Sequence, residues 1–135
     1  MRISPLVLLL FAMVGCQSRQ SPPIGADSTD AGKATTAFNK GVDFSNRKDW
    51  DTAISCYSEA IRLKPDYAKA YFNRGNAHHN KGEYAQAIKD LTEAIRLKPD
   101  YAVAYVGRSF AYQERGLKAN AAADFAKAKE LGYEP

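Results

Sequence analysis

The sequence has few of the residues that bind metals and form disulfides. Cysteine, histidine and methionine occur twice each in 135 residues, and tryptophan occurs once. Cys16 and Cys56 are too few for a disulfide framework. His78 and His79 are adjacent and would point about 100° apart on a helix, whereas a zinc pair on one helix face needs a spacing of four. We therefore expect no metal site and no cofactor.

Catalytic motifs are also missing. The sequence has no glycine-rich phosphate loop, no serine nucleophile motif and no evident pair of suitably spaced carboxylates. We therefore predict a protein that is not an enzyme. An accessory subunit of an enzyme remains an alternative.

Clustered positive charge is absent as well, although the formal net charge is +4. Basic and acidic residues alternate, as in Glu59 with Arg62 and Glu93 with Arg96. Binding to a phosphate backbone depends on clustered Lys and Arg, so we expect no nucleic acid partner.

No apolar run is long enough to cross a membrane. The longest, residues 6–14, has nine residues, whereas a helix spanning the hydrocarbon core needs about 20. It follows Arg2 and ends at Gly15 and Cys16, an arrangement typical of a signal peptide. We expect residues 1–15 to be a signal peptide and residues 16–33, which are rich in polar residues and Pro, to be a flexible tether.

The residues Met13-Val14-Gly15-Cys16 resemble the bacterial lipobox, in which the cysteine receives a diacylglyceryl group. Met13 stands where Leu, Val or Ile is usual. The resemblance implies that Cys16 carries lipid and holds the chain on a bacterial membrane, facing the periplasm. Gln17 resembles the residue found in proteins sorted to the outer membrane, if the host has one. The alternative is an ordinary secretory signal that releases a soluble secreted or periplasmic protein.

What the sequence does contain is a repeat. The decapeptide EAIRLKPDYA occupies residues 59–68 and recurs unchanged at 93–102, an offset of 34 residues. A fixed period of this length indicates stacked units that cannot bury their apolar faces alone. The period divides one predicted domain, residues 34–135, into units at 34–67, 68–101 and 102–135.

Each unit is predicted to form two helices. Small residues recur where helices must approach closely, and large apolar residues recur beside them. The small positions are Gly41, Gly75 and Ser109 on the first helices and Ala53, Ala87 and Ala121 on the second, with Tyr57, Leu91 and Phe125 as the large residues. The helices are predicted at 35–47, 50–62, 69–81, 84–96, 103–115 and 118–130.

The second unit carries aromatic, glycine, alanine and proline residues that resemble the tetratricopeptide repeat, an antiparallel helix pair of 34 residues. The first unit departs at Ala37 and Lys48, where an aromatic residue and a glycine are usual, and the third has Lys118 for the second aromatic residue and Tyr133 for the proline. The resemblance implies an all-α, right-handed solenoid of three helix-turn-helix units, whose first helices line a concave groove that binds a protein or peptide segment. The matching residues are Tyr71, Gly75, Gly82, Tyr84, Ala87, Ala94 and Pro99.

The resemblance also implies which residues face the groove, at the second, fifth, sixth, ninth and twelfth positions of each unit. Apolar side chains there would accept apolar ligand groups, and Asn73 and Asn76 would offer amides to a peptide backbone. Alternatively, some of these residues pack between helices whatever the ligand. The predicted peptide-binding groove comprises Phe38, Val42, Lys69, Phe72, Asn73, Asn76, Val103, Val106 and Phe110.

A well-known use of this repeat is a clamp for the C-terminal carboxylate of chaperones. That clamp needs Lys and Asn in the first unit, Asn in the second, and Lys and Arg in the third. This chain has Phe38, Val42, Asn73, Val103 and Gly107 at those positions. Only the asparagine matches, so we do not expect binding of chaperone tails.

The last predicted helix is rich in alanine, and solenoids usually end in a capping element with a polar face. We expect residues 117–131 either to fray or to dock on a second copy or on a partner. Together these observations predict an interaction scaffold of the bacterial cell envelope, with a protein or peptide partner and a membrane anchor at Cys16.

Overall fold

Six helices account for most of residues 29–135, which are the residues that this computed structural model describes. Consecutive helices pair within each unit, and no strand occurs in this part of the chain. Cys16 and most of the predicted tether lie outside the described residues. The helices are α1 (Asp30–Asn46), α2 (Trp50–Leu63), α3 (Ala68–Asn80), α4 (Tyr84–Leu97), α5 (Ala102–Glu114) and α6 (Lys118–Glu130).

The predicted helix bounds agree with the structure to within one residue, except at the start of α1. This helix begins at Asp30, so the prediction that residues 30–33 belong to a flexible tether is wrong. The Thr29 side chain accepts a hydrogen bond from the Gly32 amide at 3.2 Å and caps the helix. Asp30 adds a negative charge to the first turn, which the helix dipole favours.

The recurring small residues set how closely the two helices of a unit approach. A Cβ atom at Gly41 would lie 2.5 Å from the Tyr57 ring, and one at Gly75 would lie 2.9 Å from Leu91 Cγ. Ser109, the third member of this set, is 1% exposed. The prediction that these positions must be small is therefore confirmed.

The first helices lie on the inner side of the stack. Each helix packs against the next one along the chain, and α1 also contacts α3 while α3 contacts α5. Within residues 29–135, α2 has no comparable contact with α4, nor α4 with α6. The first helices of successive units are thus closer together than the second helices, which is the arrangement of a curved stack with α1, α3 and α5 on its concave face.

The two identical decapeptides form identical turns between units. The Tyr67 amide donates to the Lys64 carbonyl at 3.1 Å, and the Tyr101 amide donates to the Lys98 carbonyl at 3.0 Å. In both turns the lysine ammonium lies over the tyrosine ring, 5.0 and 4.9 Å from its centre. The repeat in sequence is therefore also a repeat of side-chain contacts.

An arginine in an ion pair within the second unit also bonds to the first unit. The Arg74 guanidinium on α3 donates two hydrogen bonds to the Asp90 carboxylate on α4, both at 2.7 Å. It donates a third to Ser58 Oγ on α2 at 2.9 Å. The Asp90 side chain is 7% exposed, and its hydrogen bonds raise the pKa of Arg74. We call this three-residue contact the arginine bridge of the second unit.

The third unit has the equivalent arginine bridge. Arg108 donates to both oxygens of Asp124 at 2.7 and 2.8 Å and to Thr92 Oγ1 at 3.0 Å. These residues follow those of the second unit by 34 positions. Neither bridge was predicted from the sequence, although this common offset is visible in it.

The first unit differs on the face of α1 that corresponds to the face of α5 packed against the preceding unit. In the third unit, Ala104 and Ala111 are fully buried in a cluster with residues of α4. The corresponding residues of the first unit are Thr36 and Asp43, and both are exposed. This face of α1 is therefore polar, as expected for a solvated end of a solenoid.

Candidate peptide-binding groove

The nine predicted groove residues all lie on the inner helices, but the structure exposes them unequally. Val103 and Phe110 are 42% and 49% exposed, and Lys69 is exposed as well. Val106 is only 7% exposed, so its side chain belongs mainly to the core. The half-buried members are Phe38, Val42, Phe72, Asn73 and Asn76.

Two phenylalanines of the predicted groove also serve the packing between helices. The Phe38 ring lies 5.0 Å from the Tyr67 ring, and the Phe72 ring lies 5.0 Å from the Tyr101 ring. Burial in this contact raises the pKa of the Tyr101 phenol. The alternative that some groove residues pack between helices therefore holds for Phe38, Phe72 and Val106.

A gap in the row of side chains marks the groove face of α5. Gly107 lies between Val103 and Phe110 on the same helix face, and it has no side chain of its own. A Cβ atom at Gly107 would lie 3.2 Å from Asn76 Oδ1. Leu91 Cδ2 would lie 3.4 Å from the same Cβ atom. Asn76 and Leu91 therefore fill the space beside Gly107, and the glycine lets α5 pack closely against α3 and α4.

The groove carries little charge. Lys69 is the only charged residue at the fifteen predicted groove positions. Within residues 29–135 it forms no hydrogen bond or ion pair through its side chain. The groove thus offers apolar surface, amide groups and one unpaired positive charge.

The two histidines point to different neighbours, as their adjacent positions predict. His78 Nδ1 lies 2.6 Å from Glu83 Oε2. The ring of His79, at a groove position of the second unit, packs edge-on against Tyr84 with 5.3 Å between ring centres. Among the described residues, no group of three or more His, Cys, Asp or Glu side chains is placed to hold a metal ion.

An open cleft of about 1000 Å³ lies between α1 and α2 and includes Thr35, a groove position of the first unit. This cleft was not predicted from the sequence. Its lining mixes Lys33, Lys40 and Arg62 with Asp30 and Glu59, so neither sign of charge dominates.

Across residues 29–135, no helix combines the length and the apolar character needed to span a membrane.

Comparisons with known proteins agree with this architecture. Family models described as "TPR repeat" and "Tetratricopeptide repeat" match residues 44–82 and 68–101. None of the curated protein sequences matches the chain.

Solved structures with similar folds include the TPR domain of Arabidopsis OM64, at 30% identity over 76% of this chain and 85% of that one, with a TM-score of 0.75. The first TPR of Spaghetti (RPAP3), bound to the HSP90 peptide SRMEEVD, is 26% identical over 79% of this chain and 85% of that one, with a TM-score of 0.75. MamA is 30% identical over 73% of this chain and 58% of that one, with a TM-score of 0.71.

Proposed function

Because this chain belongs to the tetratricopeptide repeat family, we propose that it is a non-enzymatic adaptor that binds an extended segment of a partner protein along α1, α3 and α5. The observation that carries the proposal is the exposure of Val103 and Phe110 beside amide side chains on the concave face. Apolar pockets for alternate side chains, together with groups that bond a peptide backbone, are how extended segments are recognised. A similar repeat domain, the first TPR of Spaghetti (RPAP3), binds a peptide.

The partner we propose is different from that HSP90 peptide. The peptide SRMEEVD contains three acidic residues. The groove of this chain offers a single cation, Lys69, and has Val103 and Gly107 where the carboxylate clamp needs basic residues. A strongly acidic peptide would therefore leave most of its charge unpaired here.

Photocrosslinking from inside the groove tests the proposal. With a benzoylphenylalanine in place of Phe110, we expect crosslinked adducts of discrete mass in the native host, because this side chain is half exposed on the concave face. Mass spectrometry of the adducts identifies the partner segment.

The matched control places the same group at Lys89, an exposed residue on α4. We expect few adducts from that position. Adducts from position 89 and none from position 110 would show that the partner binds the convex face and would contradict the proposal.

We also propose that the adaptor acts at the bacterial envelope, held by lipid on Cys16. The support for this is the lipobox-like sequence that ends at Cys16. Two or more acyl chains give firm attachment, since each buried methylene contributes about 0.8 kcal/mol. A soluble secreted or periplasmic adaptor, or an accessory subunit of an envelope enzyme, is the alternative.

Replacing Cys16 by serine should abolish lipid attachment. We expect the Cys16→Ser chain to stay unprocessed by the lipoprotein peptidase, which mass spectrometry of the intact protein measures. We also expect its membrane fractionation to change. Cys56→Ser is the control, because Cys56 lies on α2 and should leave processing unchanged. Normal processing of Cys16→Ser would favour the soluble alternative.

A further inference from the structure

The cleft between α1 and α2 points to a second binding site. We propose that it binds a ligand in which a short linker joins an aromatic ring to a carboxylate, with the carboxylate at Lys40. The ring takes the place that a tyrosine fills in each of the other units. This inference goes beyond the proposed function, since it requires no peptide in the concave groove.

The other two units show what fills the equivalent place in a helix pair. In the second unit the Tyr71 ring packs against the buried cluster, its centre 5.5 Å from Arg74 Cζ, and Arg74 is paired with Asp90. In the third unit the centre of the Tyr105 ring lies 5.7 Å from Arg108 Cζ. Each of these units thus brings together an aromatic ring, a cation and a carboxylate.

The first unit keeps only the cation. The residues 34 positions earlier in the chain are Ala37 for the tyrosine, Lys40 for the arginine and Cys56 for the aspartate. All three line the cleft of about 1000 Å³. The cleft therefore lies where the first unit lacks the ring and the carboxylate that the other units contain.

Lys40 is the cation of the cleft that has no partner. Lys33 lies 3.9 Å from Asp30, and Arg62 donates to both oxygens of Glu59 at 2.6 and 2.8 Å. Within residues 29–135, the exposed Lys40 side chain forms no hydrogen bond or ion pair. A ligand carboxylate should pair with this ammonium, because the other two cations already have acidic partners.

An aromatic ring gains two kinds of contact in the cleft. It covers the apolar side chains of Ala37 and Leu63, which line the cleft. It also lies beside the Lys40 ammonium, and lysines elsewhere in this chain lie over rings, with Lys64 and Lys98 at 5.0 and 4.9 Å from tyrosine ring centres. A short linker suffices, since the tyrosine and the aspartate of the second unit both contact one arginine.

The cleft is open on the side where the other units are covered. Ala104 is fully buried against residues of α4, the second helix of the preceding unit. The equivalent residue of the first unit, Thr36, lines the cleft and is exposed. Residues 17–28 contain no aromatic residue, so this segment of the chain cannot supply the ring. We therefore assign the ring to a separate molecule.

Titration of the full-length chain with 3-phenylpropanoate, followed by proton–nitrogen correlation NMR, tests the inference. We expect saturable shifts of the amides of Ala37, Lys40 and Cys56. Butanoate, which lacks the ring, should bind about tenfold more weakly. The uncharged 3-phenylpropanamide should bind about threefold more weakly, the loss expected for an exposed ion pair.

A peptide of five glycines followed by phenylalanine, with a free C-terminal carboxylate, identifies the source of the ligand. It carries the same ring and carboxylate at the end of a chain. Tighter binding of this peptide than of 3-phenylpropanoate would assign the site to the aromatic C-terminus of a partner protein. Binding of 3-phenylpropanoate without binding of the peptide would assign it to a free aromatic acid.

Substitutions that copy the other units should close the site. Ala37→Tyr fills the place of the ring and should weaken binding of 3-phenylpropanoate about tenfold. Cys56→Asp gives Lys40 a carboxylate within the chain, and Lys40→Ala removes the ammonium, so each should weaken binding about threefold. Lys89→Ala on α4 is the matched control and should leave binding unchanged. Circular dichroism verifies that each variant keeps its helix content.

Each outcome supports or overturns the inference. Saturable shifts in the cleft that Ala37→Tyr abolishes and Lys89→Ala preserves support it. Equal binding of the acid, the amide and butanoate, or binding that Ala37→Tyr and Lys40→Ala leave unchanged, overturns it. The absence of saturable shifts with both 3-phenylpropanoate and the peptide overturns it as well. The proposed function stands in every case, because crosslinking from position 110 tests it separately.

Discussion

Asp90→Ala is expected to lower the free energy of unfolding by about 3 kcal/mol, one of the largest effects of any single substitution in this chain. The substitution leaves the Arg74 guanidinium, whose side chain is 21% exposed, without the carboxylate that accepts two of its hydrogen bonds. A charge that stays partly buried and unpaired is costly, and Ser58 alone cannot compensate for it. Urea unfolding followed by circular dichroism measures the change.

Two further variants make this prediction specific. Asp100→Ala removes an exposed carboxylate in a turn and should change stability by less than about 0.5 kcal/mol. Adding Arg74→Ala to Asp90→Ala should recover part of the loss, because it removes the unpaired charge. Equal effects of Asp90→Ala and Asp100→Ala would show that the arginine bridge does not stabilise the fold.

Leu91→Ala is expected to cost about 3 kcal/mol, mainly through the cavity that it creates. Leu91 is 0% exposed and packs in a cluster whose other buried members are alanines. Alanines cannot reach into the vacated space, and the helices that carry them are held by several neighbours, so the cavity should persist. The measurement is again the midpoint and slope of urea unfolding. The alanines of the cluster are Ala87, Ala94, Ala104 and Ala111.

Leu97→Ala is the matched control. Leu97 is the last residue of α4 and is only half-buried, so the same substitution should cost clearly less there. The Leu91 variant should also loosen the packing of α5, since Leu91 Cδ2 lies 3.4 Å from the place of a Gly107 Cβ. A Leu91→Ala chain as stable as Leu97→Ala would contradict the packing argument.

The helices could be predicted from the sequence because the 34-residue period and its turn residues fix them together. Gly82 and Gly116 adopt positive φ at the turns within their units, and Lys48 adopts a φ of 60° at the same place. The turn that the period requires at this place thus outweighs the preference of lysine for a negative φ. The start of α1 was missed because the polar residues before it were interpreted as a tether, although Thr29 and Asp30 form a cap and an acidic first turn.

The site was less predictable than the fold. The groove positions that the resemblance implies lie on the inner helices, but position alone does not determine exposure. Val106 is buried and Val103 is exposed although both occupy groove positions of α5. The arginine bridges were missed because each joins residues 16 positions apart on different helices, a spacing that helical periodicity does not reveal. The close packing at Gly107 depends on the side chain of Asn76 from another unit.

The aromatic pairs Phe38 with Tyr67 and Phe72 with Tyr101 have a consequence for how fast a partner leaves. Each pair fixes an inner helix to the turn that follows its unit, so the spacing between α1, α3 and α5 is set before any ligand arrives. A preformed surface of this kind loses little conformational entropy on binding, and the cost of ordering falls on the partner segment. Among related partners, differences in affinity should then be found in the dissociation rate, with association rates nearly alike.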